Sequence, residues 1–166
     1  MMRKVLLACS LFLAACGGSK AQAPAPEVAK VVVPEKVLTW NEPGPAALKS
    51  AQVQRKMMII WFFDEHCPAC TAMRGGALSD PCVVDELNEH FVFVGANVTK
   101  KPQLASFLDE PVFPSTMFVL PDETGTIIPT VLQGALPADK FCTALKAIHV
   151  EFEKELKKLD ALERGH

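Results

Sequence analysis

Residues 57–63 read Met-Met-Ile-Ile-Trp-Phe-Phe, seven apolar side chains without a break, and after three polar residues comes Cys67-Pro68-Ala69-Cys70. A short apolar run with no polar alternation marks a strand covered on both faces, so the chain must place other layers above and below it. Pro68 suits the first turn of a helix, where its missing N–H would have no partner anyway. The order is therefore buried strand, short loop, helix beginning at Cys67. At a helix start the Cys67 sulfur meets unpaired backbone N–H groups and the positive end of the macrodipole, both of which favour a thiolate. Cys70, three residues on, shares that helical face and is within reach of any disulfide that Cys67 forms. Cys67 and Cys70 are thus the expected catalytic pair of a dithiol redox site.

The other elements fall around this unit. Residues 37–40 are a short strand candidate, and 45–56 a helix with Pro in its first turn. A helix from Cys67 to about Met73 is interrupted by Gly75-Gly76. Ser79-Asp80-Pro81 then supplies an N-cap and a first-turn Pro for a helix through Phe91. Residues 91–98 form a second buried strand and 102–108 a short helix. Residues 116–120 and 126–133 form two strands joined by a turn at 121–125 with its Gly late. Residues 137–163 carry Phe141, Leu145, Ile148, Phe152, Leu156, Leu159 and Leu162 at helical spacing. The first half of that helix should pack on the sheet, and the portion beyond Phe152 should be a solvated end rather than a docking arm. The expected order β-α-β-α-β-α-β-β-α gives an α/β fold, a central mixed sheet flanked by helices, parallel first and antiparallel at the end. With 166 residues, 49% hydrophobic and 22% charged, the chain has room for one such domain and its accessories. The net charge of −2 excludes an electrostatic footprint for nucleic acid.

The N-terminus reads as an address. Arg3 and Lys4 precede an apolar run that ends in Leu13-Ala14-Ala15-Cys16-Gly17-Gly18. The run suits a signal peptide and is short for a permanent membrane span. The junction resembles the lipobox of bacterial lipoproteins, which implies cleavage before Cys16 and lipidation of Cys16. The expected organisation is a signal peptide over 1–15, a lipidated Cys with an Ala/Pro-rich tether over 16–35, and a domain with an extended C-terminal helix over 36–163. This implies a lipid-anchored protein on the periplasmic face of the cell envelope, with Gly17 after the anchor pointing to the outer membrane.

Two motifs carry a second resemblance. Trp61-Phe62-Phe63-Asp64-Glu65-His66-Cys67-Pro68-Ala69-Cys70 resembles the active-site strand and loop of the thioredoxin-like family. Phe113-Pro114-Ser115-Thr116-Met117-Phe118-Val119 resembles its second hallmark, the loop whose proline follows a cis peptide bond and faces the disulfide. The likeness implies a cis Pro114, a Phe113 backbone that pairs with an extended substrate segment, and protein thiols and disulfides as partners, with a membrane electron donor among them. Within the family, 78–87 and 95–99 are similar to the C-terminal periplasmic domain of the DsbD-type disulfide reductase, more so than to cytosolic thioredoxin. Two positions depart from the pattern. The family's buried Asp, six residues before the first cysteine, is Trp61 here, and the residue before that cysteine is His66 rather than Trp. Proton removal from Cys70 then falls to Glu65, Asp64, His66 or water. Glu65, His66 and Pro68 are the redox-tuning candidates, although His66 equally suits an exposed loop residue. The direction of electron flow stays open.

Other readings of the same residues carry less. A structural zinc site would need a second Cys-x-x-Cys, and the sequence contains none. The alternative of a different class is a non-catalytic lipoprotein that delivers copper or binds a client through this loop, with Met73 and His66 beside the cysteines. Neither cofactor nor metal is expected. His90 and His149 read as structural residues on helix surfaces. In the thioredoxin-like arrangement Cys82 and Cys142 would lie on one side of the sheet. There they would form either a structural disulfide closing a loop of about sixty residues or two separate buried thiols.

Overall fold

A computed structural model describes residues 36–109 and 111–164. The segments assigned to a signal peptide, to Cys16 and to the tether lie outside the described residues.

The apolar run forms β1 (Met57–Phe63), the central strand of a four-stranded sheet in the order β2-β1-β3-β4. Strand β2 (Phe91–Asn97) runs parallel to it, from Met57 opposite Phe91 to Phe63 opposite Asn97. Strand β3 (Ser115–Val119) runs antiparallel on the other side. The edge strand β4 (Ile127–Gln133) pairs antiparallel with β3, and the register shifts opposite Met117 and Phe118. Pro129, which cannot donate a ladder hydrogen bond, falls in that irregularity on the sheet's edge.

Period-two alternation sorts β1 onto two cores. Met57, Ile59, Trp61 and Phe63 face one way, into a cluster with Cys70, Met73, Val83, Leu87, Phe141, Leu145 and Phe152. These partners come from α2 (Pro68–Gly75), α3 (Pro81–His90) and α4 (Ala138–Arg164). Met58 faces the other way, onto Ala47 and Ala51 of α1 (Pro45–Gln54), and Phe62 packs on Ala96, Val98, Leu108 and Met117. Both faces of β1 are therefore covered, as its unbroken hydrophobicity requires. Among the described residues, no helix is long and apolar enough to cross a membrane.

The expected α/β class and mixed sheet hold, with one strand fewer. Residues 37–40 do not form a strand, and only Asn41 makes a single parallel bridge to Val94. The reason lies in α3. The Asn88 side-chain oxygen accepts from Thr39 N–H at 2.9 Å, and its amide donates to the Val37 carbonyl at 3.0 Å. One side chain thus satisfies the backbone groups that a ladder would have used. The segment 102–108 is a 3₁₀ helix over Pro102–Phe107. The hairpin turn has Gly125 at φ +67°, a left-handed conformation that suits glycine. Helix α4 also packs further than expected, since Leu156, one turn past Phe152, still lies against the core.

The structure joins Cys82 at the start of α3 to Cys142 at the start of α4 by a disulfide, across 60 residues of sequence. Asp80 caps α3 by accepting from Cys82 N–H at 2.9 Å, with Pro81 as the first helical residue.

Candidate active site

Cys67 is the N-cap of α2, with Pro68 as the helix's first residue. The Cys67 sulfur accepts a hydrogen bond from Cys70 N–H at 3.1 Å and donates to the Phe113 carbonyl at 3.5 Å. The Phe113–Pro114 peptide is cis. The two sequence motifs, forty-six residues apart, therefore meet at one sulfur. Cys67 is half-buried while Cys70 is buried, and both are free thiols.

That difference in burial separates the two sulfurs chemically. Removal from water pushes the Cys70 thiol up from its ordinary 9.0 to about 11, with the hydrogen bond to Cys67 adding to the effect. The charge of Asp64 also raises it, while the backbone of Asp64 acts the other way. Asp64 is thus the loop carboxylate that acts on Cys70. Its own carboxyl is held below the ordinary range, chiefly because it accepts His66 N–H at 2.7 Å.

The tuning candidates separate on inspection. Glu65 turns away from the sulfurs and accepts from Asn97 at 2.7 Å, with Lys100 Nζ at 3.3 Å. Those two contacts lower its pKa, Asn97 first. Its backbone N–H donates to Thr99 Oγ1 at 2.9 Å, so the end of β2 holds the loop in place. The His66 side chain is 83% exposed, with Nδ1 3.4 Å from Asp64 Oδ1. Met73 is buried in the same core cluster as Cys70.

Trp61 is fully buried, and its indole N–H has no hydrogen-bond partner. The Arg74 guanidinium lies over Phe63 at 4.7 Å, Trp61 at 5.7 Å and Trp40 at 5.8 Å, a cation–π stack on the wall behind α2. Sequence reading missed this role for Arg74, because its spacing from the three rings carries no local signal.

A family model described as a thioredoxin-like domain matches residues 44–149. The chain belongs to the thioredoxin-like family. The thioredoxin of Thermus thermophilus is similar at 32% identity and a TM-score of 0.61, over 69% of this chain and 89% of its own. A DsbH oxidoreductase is similar at 14% identity and a TM-score of 0.58, over 74% of this chain and 93% of its own. The reduced C-terminal domain of Neisseria meningitidis DsbD is similar at 23% identity and a TM-score of 0.51, over 61% and 90%. The last two share the thioredoxin-like fold. No curated protein matches the sequence significantly.

Proposed function

We propose that this protein is a membrane-anchored, periplasmic thiol:disulfide oxidoreductase that works through Cys67 and Cys70. The observation that carries the reading is the asymmetry of the pair. One sulfur is reachable and hydrogen-bonded at a helix start beside the Phe113 carbonyl, and the other is buried and held protonated.

In the reducing direction Cys67 attacks a client disulfide as the thiolate. One client sulfur leaves as a thiolate and takes up a proton, and Cys67 is left in a mixed disulfide. The Cys70 N–H at 3.1 Å faces charge on the Cys67 sulfur before the attack. Cys70 then gives up its proton, attacks Cys67, and releases the second client sulfur. Two electrons and two protons pass to the client, and the protein is left with a Cys67–Cys70 disulfide that a dithiol donor must reduce. The same steps in reverse oxidise a client dithiol.

An extended client segment lies along the Phe113 backbone. Val112, 41% exposed, gives that ledge an apolar rim suited to unfolded or loosely packed clients. Glu65 and His66 tune the loop from outside, through Asp64 and Lys100, rather than by touching the sulfurs. Lipid on Cys16 and the 16–35 tether would hold the domain at a membrane surface.

Dithiothreitol-driven reduction of insulin tests the chemistry. Wild type turns over, Cys67→Ser loses all activity above background, and Cys70→Ser accumulates a mixed disulfide visible by non-reducing electrophoresis. Activity that survives Cys67→Ser would falsify the assignment. Metabolic labelling with palmitate tests the anchor: label lost in Cys16→Ala supports it, and label that persists overturns it.

A further inference from the structure

Away from the dithiol, α3 and α4 bring three potential metal ligands together. Glu86 and His90 are one helical turn apart on α3, and His149 faces them from α4. Their ligand atoms all lie within 4.8 Å of one another. The Cys82–Cys142 disulfide ties the same two helices one turn before Glu86. On α3 the residues 82, 86 and 90 form a single i, i+4 ridge, so the bridge and the three ligands share one interhelical seam.

An independent observation points to a ligand there. Glu86 is 8% exposed, and its Oε1 is buried without a hydrogen-bond partner. His149 Nδ1 stands 3.3 Å from that oxygen without forming a hydrogen bond. A buried carboxylate oxygen left unsatisfied is rare and unfavourable. In a tetrahedral site with metal–ligand bonds of 2.0–2.1 Å, neighbouring ligand atoms stand about 3.3–3.4 Å apart; the Glu86–His149 pair has that spacing, and the three ligand atoms together lie within 4.8 Å. The His90 and His149 rings are stacked with centroids 3.8 Å apart, so one ring turns out of the stack for both nitrogens to point at a single ion.

We propose that Glu86, His90 and His149 form a Zn²⁺ site, with two imidazole nitrogens, one carboxylate oxygen and a fourth position open to water. Two nitrogens and one oxygen suit zinc over magnesium or calcium, which take oxygen donors, and over copper(I), which favours sulfur. The site lies at the opposite end of the sheet from the dithiol. His90 leads directly into Phe91, which pairs with the first residue of β1, whereas Cys67 follows the last. Seven residues of strand separate the two by roughly 20 Å. The ion is therefore a clamp on α3 and α4, and its binding does not depend on the redox function proposed above.

The test uses the full chain with Cys67→Ser and Cys70→Ser, so that the dithiol cannot hold zinc, and with the Cys82–Cys142 bridge intact. Equilibrium dialysis against ZnCl₂ should give one saturable equivalent. His90→Gln and His149→Gln should each weaken binding at least tenfold while the metal-free protein keeps its circular dichroism. Cobalt(II) in place of zinc should show four-coordinate visible bands without thiolate charge transfer. No saturable equivalent, or binding undiminished in both histidine variants, overturns the site. Should one variant misfold, the other and the cobalt spectrum still decide.

Discussion

Cys70 should ionise far above an ordinary cysteine, and burial is the reason. The residue is 2% exposed, and loss of water, followed by the hydrogen bond to Cys67, lifts its thiol from 9.0 to about 11. Two pH units mean a ~100-fold smaller thiolate fraction at neutral pH. The Cys67→Ser protein isolates the effect, since it leaves Cys70 as the only free thiol among the described residues. The charge of a Cys67 thiolate, which also raises the Cys70 thiol, is then gone, and the largest cause, burial, remains. Thiolate absorbance and iodoacetamide alkylation, followed from neutral to strongly alkaline pH, should therefore give a midpoint still above 9.0. Stability carries the same sign. Once the pH passes 9.0, the unfolded chain releases a proton that folded Cys70 keeps. The reduced protein should lose stability between about pH 9 and 11 and level off beyond. A folded variant whose midpoint lies at or below 9.0 would refute the burial argument, and with it the view that Cys70 waits protonated until Cys67 has captured a client.

Other outcomes follow from the packing. Gly95→Ala would place a Cβ 2.9 Å from the Trp40 ring. The ring must shift, and thermal unfolding should show a loss of about 1–3 kcal/mol with altered tryptophan fluorescence. Replacing Cys82 and Cys142 by Ala together opens a cross-link over 60 residues. Urea unfolding should then report a loss approaching ~4 kcal/mol on the chain-entropy account, and an unchanged midpoint would contradict it. Asp122 in the β3–β4 turn is held down to about 2, first by Thr126 and then by Thr124, against an ordinary 3.8. Its stabilisation is present above pH 3.8 and disappears as the pH falls towards 2, so Asp122→Asn should flatten the acid limb of a urea-midpoint-against-pH curve.

The Cys67–Cys70 half of the candidate site was legible along the chain because it is local. A buried strand, a three-residue loop, a cysteine N-cap and a first-turn proline are all specified within 57–70, and the structure keeps them in that order. The 113–119 motif was legible only through family likeness. Nothing in its own residues says that the Phe113 carbonyl ends 3.5 Å from Cys67. Between Asp64 and Glu65 the sequence could not choose. The choice was made by Asn97 and Lys100, which draw Glu65 away. The strand expected at 37–40 failed for a similar reason, because a distant Asn88 takes the backbone groups that a ladder needed.

The sequence by itself determined the layered α/β class, the covered central strand and the Cys67–Cys70 pair, since apolar periodicity and capping act between residues a few positions apart. Only the tertiary structure decided that Cys82 meets Cys142 and that Glu86, His90 and His149 share a seam. Periodicity says which face of a helix turns inward. It does not say which residue of another helix stands opposite, because that depends on how the helices sit side by side on the twisted sheet beneath them.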